Sequence, residues 1–189
     1  MFSTDNYKGT PDYLNTQKRY EILRTIIYFA ISISLFVAGW IHTGSRENLL
    51  TIVAILGCLP ACKSVVDMIM FLRYQSCSTD AATQIEAHIG SLKGLFDMVF
   101  TSYDKTYQIA HITVRGNTIC GYTEDADFEE QAFYKHIDAL LKKDSFKDTS
   151  IKVFSDLKKY TNRLEQMKEL EENDTLTTGI LQTLKCISL

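Results

Sequence analysis

The sequence predicts a two-helix transmembrane hairpin followed by a cytosolic α/β (α+β) domain. Three observations carry that prediction. Thr25 to Ser45 runs 21 residues without a charge. A second apolar run starts at Leu49, only a few residues later. After Arg73 the composition turns polar, and helix-like and strand-like periodicities alternate to the end of the 189-residue chain. A run of about 20 apolar residues matches the ~30 Å hydrocarbon thickness of a bilayer. The predicted organisation is a cytosolic N-terminal segment (1–24), the hairpin (25–73, with spans 25–42 and 49–73) and a domain over 78–189.

The first span carries Tyr28 and Trp40 near its two ends, where amphipathic rings favour the headgroup layer. Ser32 and Ser34 can return their hydroxyls to helix carbonyls at little cost. The alternative, a buried helix of a soluble protein, conflicts with so long an uncharged run. In the second span, Asn48 to Cys62 is uncharged; Lys63 and Asp67 then interrupt before Met68–Leu72. Two arrangements fit. Either the helix leaves the hydrocarbon near Lys63, whose ammonium snorkels to the interface, or Lys63 and Asp67 pair four residues apart inside the membrane. Pro60 removes one backbone donor and predicts a kink.

The linker His42–Asn48 is short, so the helices are expected to be antiparallel neighbours. Lys8, Lys18, Arg19 and Arg24 precede the first span, whereas the linker carries only Arg46. Positive charge is retained on the inner side. A multi-pass protein of the cell membrane with both termini cytoplasmic is therefore expected, without a cleaved signal peptide. Five cysteines, Cys58, Cys62, Cys77, Cys120 and Cys186, match neither a zinc site nor a disulfide framework, which fits reduced thiols in the cytosol. Cys58 and Cys62 share a helix face and read as small packing residues at the helix–helix contact, with acylation as the alternative.

The part after Arg73 holds 18 acidic and 13 basic side chains. That balance opposes a nucleic-acid partner, which needs a basic surface, and strong docking on an anionic leaflet. Its elements follow in the order α-β-β-β-α-β-α. Ser76–Asp80 is a helix start, and Asp80 to about Leu95 has helical spacing. Met98–Tyr103 reads as extended and Asp104–Lys105 as a turn. Tyr107–Val114 alternates, with Ala110, Ile112 and Val114 on one face and Ile109, His111 and Thr113 on the other. Arg115–Thr118 is a hairpin signal, and Ile119–Tyr122 returns. Thr123–Asp127 opens a helix to about Lys143, with acids at its start and lysines at its end. Ser150–Phe154 is a short strand and Asp156 to about Leu170 a helix. Asp174–Gly179 is loop-like, and the end of the chain fits a strand or a docked helix.

A sheet carrying helices is the expected product. In element order, residues 80 to 170 resemble the core of the restriction-endonuclease-like fold. Active members of that group carry an acidic residue near one central strand and an acid-x-lysine motif on the next. The corresponding strands here, Tyr107–Val114 and Thr118–Tyr122, carry neither a carboxylate nor a lysine. The resemblance therefore implies an inactive relative.

Few residues point to chemistry. The acids Glu124, Asp125, Asp127, Glu129 and Glu130 lack calcium-loop spacing and read as a helix cap. His42, His88, His111 and His136 share no ligand spacing. His111 and Cys120 could form a thiol–imidazole couple across the hairpin. The expectation is a non-enzymatic interaction or assembly module with no cofactor and no metal. Its partners would be the lipid bilayer, an unidentified protein and copies of itself. Tyr107, Tyr122, Phe128 and Tyr134 are the candidate aromatic anchors of an interface. Two alternatives stand beside it: an oligomeric pore or gate using Lys63, Asp67 and Pro60, and a membrane-tethered enzyme with a divergent nuclease-like domain.

Overall fold

A computed structural model describes residues 7–44, 49–146, 148–171 and 173–189. The expected linker residues Ser45–Asn48, with Arg46, lie outside the described residues. The chain divides into two compact units: one holds Leu14–Gln75, the other Ser76–Leu189 together with the chain up to Tyr13.

Two helices make the first unit, α1 (Tyr13–Thr43) and α2 (Leu49–Leu72), the latter running through Pro60. Both are long and apolar enough to cross a membrane, with mean hydropathies of 1.9 and 2.1 over their most apolar windows. They run antiparallel: Thr25 meets Ser64, and Ser32 meets Gly57 further along. The seam is built of small residues. Ala54, Ala61 and Ser64 are buried on α2, as are Thr25, Ser32 and Gly39 on α1. A Cβ on Gly57 would stand 2.9 Å from the Ser32 hydroxyl, so the backbones approach closely there. The expectation for Cys58 and Cys62 is corrected here. Both are exposed, because Ala54, Gly57, Ala61 and Ser64 repeat at three- and four-residue spacing and place the cysteines on the outer face.

The second unit is a four-stranded sheet in the order β1-β2-β3-β4. β1 (Lys93–Thr101) and β2 (Thr106–Arg115) pair antiparallel, as do β2 and β3 (Thr118–Tyr122). β4 (Ser150–Phe154) joins β3 in parallel, Thr118 opposite Ser150 and Tyr122 opposite Phe154. Among the described residues the other helices are α3 (Thr79–Ile89), α4 (Glu130–Lys143), α5 (Leu157–Lys168) and α6 (Asp174–Ile187). One face of the sheet packs on Phe133, Ile137 and Leu141 of α4 and on Ile180 and Leu184 of α6. The opposite face packs on Ala81 and Ile85 of α3 and on Tyr160, Leu164 and Met167 of α5. A sheet buried on both faces explains why its strands read as almost continuous apolar runs.

Several boundaries differ from the periodicity reading. The helix expected to reach Leu95 ends at Ile89, because Gly90 (φ 54, ψ −119) takes a positive-φ conformation that breaks the helix and that side chains rarely allow. Lys93–Phe96 becomes strand instead. The helix expected from Thr123 starts at Glu130. The Thr123 hydroxyl accepts from the Asp125 N–H and the Asp125 carboxylate from the Asp127 N–H, and these turns compete with helix. Asp174–Gly179 is the start of α6 rather than a loop, capped by the Asn173 side chain on the Leu176 N–H. The end of the chain is therefore a helix, although Ser188 and Leu189 also bridge to Phe100 and Val99.

Ala110 does not share a face with Ile112 and Val114, as strict alternation predicts. It packs in the second cluster, while Ile109, Ile112 and Val114 pack in the first. Its partner level on β1 is Asp97, which has φ 55. There the alternation changes phase in both strands at once, so the register is kept. The buried Asp97 carboxylate accepts the Cys77 N–H at 2.8 Å, which holds the backbone in this strained region.

The segment before α1 closes the β1 edge. Gly9 (φ 91) accepts the Phe96 N–H at 2.9 Å, and the Lys8 ammonium donates to the Ser188 carbonyl at 2.7 Å. Leu189 donates to the Val99 carbonyl beside it. Gly9 and Leu189 thus cover the same sheet edge, which would otherwise offer unpaired backbone groups.

Candidate functional site

One group of polar residues ties the two apolar helices together. Arg24 bonds Asp67 at 3.0 Å and pairs with Glu21 at 2.6 Å; its Nε donates to Ser64 at 3.3 Å. Thr25 and Ser64 hydroxyls bond at 2.7 Å. Lys63 stands 3.8 Å from Asp67 with 81 % of its side chain exposed. Asp67 is therefore held mainly by the other helix and only loosely by Lys63. Beyond this collar, Thr25–Thr43 would extend ~28 Å and Leu49–Cys62 ~21 Å at the helical rise. Pro60 is exposed one turn away from the collar.

Of the four aromatic candidates, Tyr107 and Tyr122 are buried and Phe128 is packed against the first cluster. Tyr107 meets Phe128 and Phe133 edge-on, with centroids 5.9 and 5.5 Å apart. These three rings are core. Tyr134 is 41 % exposed and is left on the surface with Tyr103.

The acids after β3 are engaged locally. Glu124 accepts from the Ser78 hydroxyl at 2.6 Å and from its N–H. Glu129 pairs with Lys105 at 2.6 Å, and its side chain makes no capping bond to α4. The expected capping role is thus replaced by ties to neighbouring segments.

His111 and Cys120 do not form a couple. In the β2–β3 register His111 stands opposite Tyr122, and Cys120 opposite Thr113. The His111 Nδ1 bonds the Tyr160 hydroxyl at 2.6 Å, and the Thr113 hydroxyl bonds the same oxygen at 3.1 Å. Burial lowers the imidazole to about 3 and holds it neutral. Burial also pushes the Cys120 thiol up, although the Arg163 guanidinium opposes this. Burial and the Glu124 charge push Cys77 to about 12. Thiols held protonated in this way are poor nucleophiles.

Directly outside this buried group lies a cleft the sequence reading did not single out. It has a volume of about 430 Å³ between β4 and α5, and Lys152, Phe154, Lys159, Asn162, Arg163 and Gln166 line it. Lys152 and Phe154 share one face of β4 because they are two apart; Lys159, Asn162, Arg163 and Gln166 follow at helical spacing on α5. The Lys152 ammonium stands 5.2 Å from the Phe154 ring centroid. Arg163 donates to the Gln166 side-chain oxygen at 3.0 Å, and its guanidinium also engages the buried Cys120 thiol. The lining carries three cations and no carboxylate, in a chain whose net charge is −3. Its signal in the sequence was the Lys159/Arg163 pair, four apart on a predicted helix.

The molecule is thus defined by two long apolar helices and a mixed α/β domain with a four-stranded sheet. Compared with known protein families, with characterised proteins and with solved structures, the chain matches none.

Proposed function

We propose that this chain is a membrane-anchored interaction module of the cytoplasmic face, with the α1–α2 pair as its anchor and the α/β domain as its binding part. The observation that carries this reading is the outer surface of the helix pair. Only 17 % of the most apolar window of each helix is buried, and Ile26, Ile33, Ile41, Leu49, Ile55 and Leu59 are all more than half exposed. A core helix of a water-soluble domain hides such side chains; lipid leaves them where they are. The collar of Glu21, Arg24, Lys63 and Asp67 lies at one end of the uncharged stretches of both helices, which fits a headgroup boundary there.

The chain before α1 and the chain after α2 build one unit, since Lys8 and Gly9 bond to Ser188 and Phe96. One membrane crossing would separate them; two crossings keep them on the same side. The Lys and Arg excess before α1 favours the cytoplasm for that side. In this reading Lys63 and Asp67 belong to the boundary layer rather than to a conducting path.

The test is extraction of membranes that contain the full chain. Alkaline carbonate followed by urea is expected to leave the protein in the pellet, with detergent required to release it. Recovery in the carbonate supernatant overturns the anchor.

A further inference from the structure

We infer that the outer edge of β4, with the cleft beside it, takes an extended acidic segment of a partner protein as a fifth strand. The inference rests on the interaction-module reading above and names the chemistry of its partner. The two edges of the sheet differ. Gly9 and Leu189 close the β1 edge, whereas no described residue pairs with β4 on its outer side. The Ser150 N–H bonds to Asn117 and the Phe154 carbonyl accepts from Thr123. Residues 150, 152 and 154 therefore turn their backbone groups toward β3. In a parallel ladder the alternate residues face the other way, so Ile151 and Val153 offer their N–H and C=O groups to an incoming strand. Such an edge is the template used in recognition by strand addition.

The side chains supply the selectivity. Lys152 and Phe154 project to the α5 side, where Lys159, Arg163, Asn162 and Gln166 complete the cleft. A strand laid along β4 would project every second side chain into this cleft. Carboxylates at those alternate positions would meet three cations. A lysine alone on an edge strand would serve to repel strand pairing. Here, however, Lys152 shares a concave site with the lysine, arginine, asparagine and glutamine of α5, which is an arrangement for binding carboxylate. The chain's own acidic run at 124–130 is not the occupant, because Glu124 and Glu129 are tied to Ser78 and Lys105.

The experiment uses the full chain in neutral-lipid nanodiscs and a fluorescein-labelled decapeptide of alternating Glu and Val, followed by anisotropy. Saturable binding is expected, and a Lys–Val peptide should not bind. Lys152→Glu and Arg163→Gln should each weaken binding roughly tenfold. Methylating the peptide nitrogens in one alternate phase, the phase facing β4, should abolish binding, and methylation in the other phase should leave it intact. This arm needs no change in the protein; Ile151→Pro, which removes one edge donor, should weaken the unmethylated peptide equally. Three results overturn the proposal: no binding of the Glu–Val peptide; binding indifferent to both methylation phases, with pyrophosphate competing through Arg163, which marks a simple anion site; or binding of phosphatidylglycerol vesicles alone. A chain that carbonate releases but that still binds the peptide loses the anchor and keeps this site. A chain that stays in the membrane and binds no peptide does the reverse.

Discussion

Burial keeps the His111 imidazole neutral, at about 3 in the fold against 6.5 in a solvated chain. The unfolded chain therefore binds the proton first as pH falls. Stability from this residue is complete above about 6.5 and declines between about 6.5 and 3, with a limiting slope of ~1.4 kcal/mol per pH unit. Urea titrations of the full chain at stepped pH should show that slope, and His111→Gln should reduce it by one proton. Tyr160 serves His111 and Thr113 together through one hydroxyl. Tyr160→Phe should cost about 1–3 kcal/mol, the penalty for leaving buried polar groups unpaired. The space around the ring is also tight. A Cβ on Gly94 would meet the His111 Nε2 at 2.5 Å and the Ile112 carbonyl at 3.1 Å. Gly94→Ala should thus lower the melting temperature of the domain, because a fully packed imidazole cannot yield. Sequence periodicity placed His111 correctly on a strand. It could not supply the ring's partner, since Tyr160 lies 49 positions away.

Among the elements, β1 shows how a local irregularity is held by distant groups. Asp97 combines φ 55 with a carboxylate that binds the Cys77 N–H. Asp97→Asn keeps both the acceptor and the tolerance for left-handed backbone. Asp97→Gly keeps only the backbone, and Asp97→Ala keeps neither. Loss of stability should rise in that order, as read from denaturant midpoints. Gly9 is the second case. Its φ of 91 excludes most side chains, and a Cβ there would lie 2.5 Å from Leu95 Cδ2. Gly9→Val should release the N-terminal strap, free the Phe96 N–H and increase hydrogen exchange along β1. Strands β2 and β4 and helix α5 were legible to within a residue or two, because each is a short run with one clear period. The phase change at Asp97 and Ala110 was hidden, as no residue type announces it. The start of α4 was misplaced for a related reason. Thr123 and Asp125 are good helix-capping types, and in the fold their side chains bind turns instead.

Across the whole molecule, the helix pair and the α/β domain are separate compact units. Within the pair, Arg24 is the common partner of Glu21 and Asp67. Arg24→Leu should leave two carboxylates facing each other and weaken the pair by about 1–3 kcal/mol; Arg24→Lys should restore part of it. The midpoint of unfolding of the full chain in mixed micelles of rising SDS fraction reads this directly. Apolar run length, charge segregation and strand or helix period are properties of neighbouring residues, and they were enough for the two apolar helices and the mixed sheet. The closed edge, the open edge and the basic cleft were not legible in that way. The first needs Lys8 beside Ser188, 180 positions apart, and the cleft needs β4 laid against α5. Only packing brings such groups together, because a contact between distant segments leaves no period in the chain that makes it.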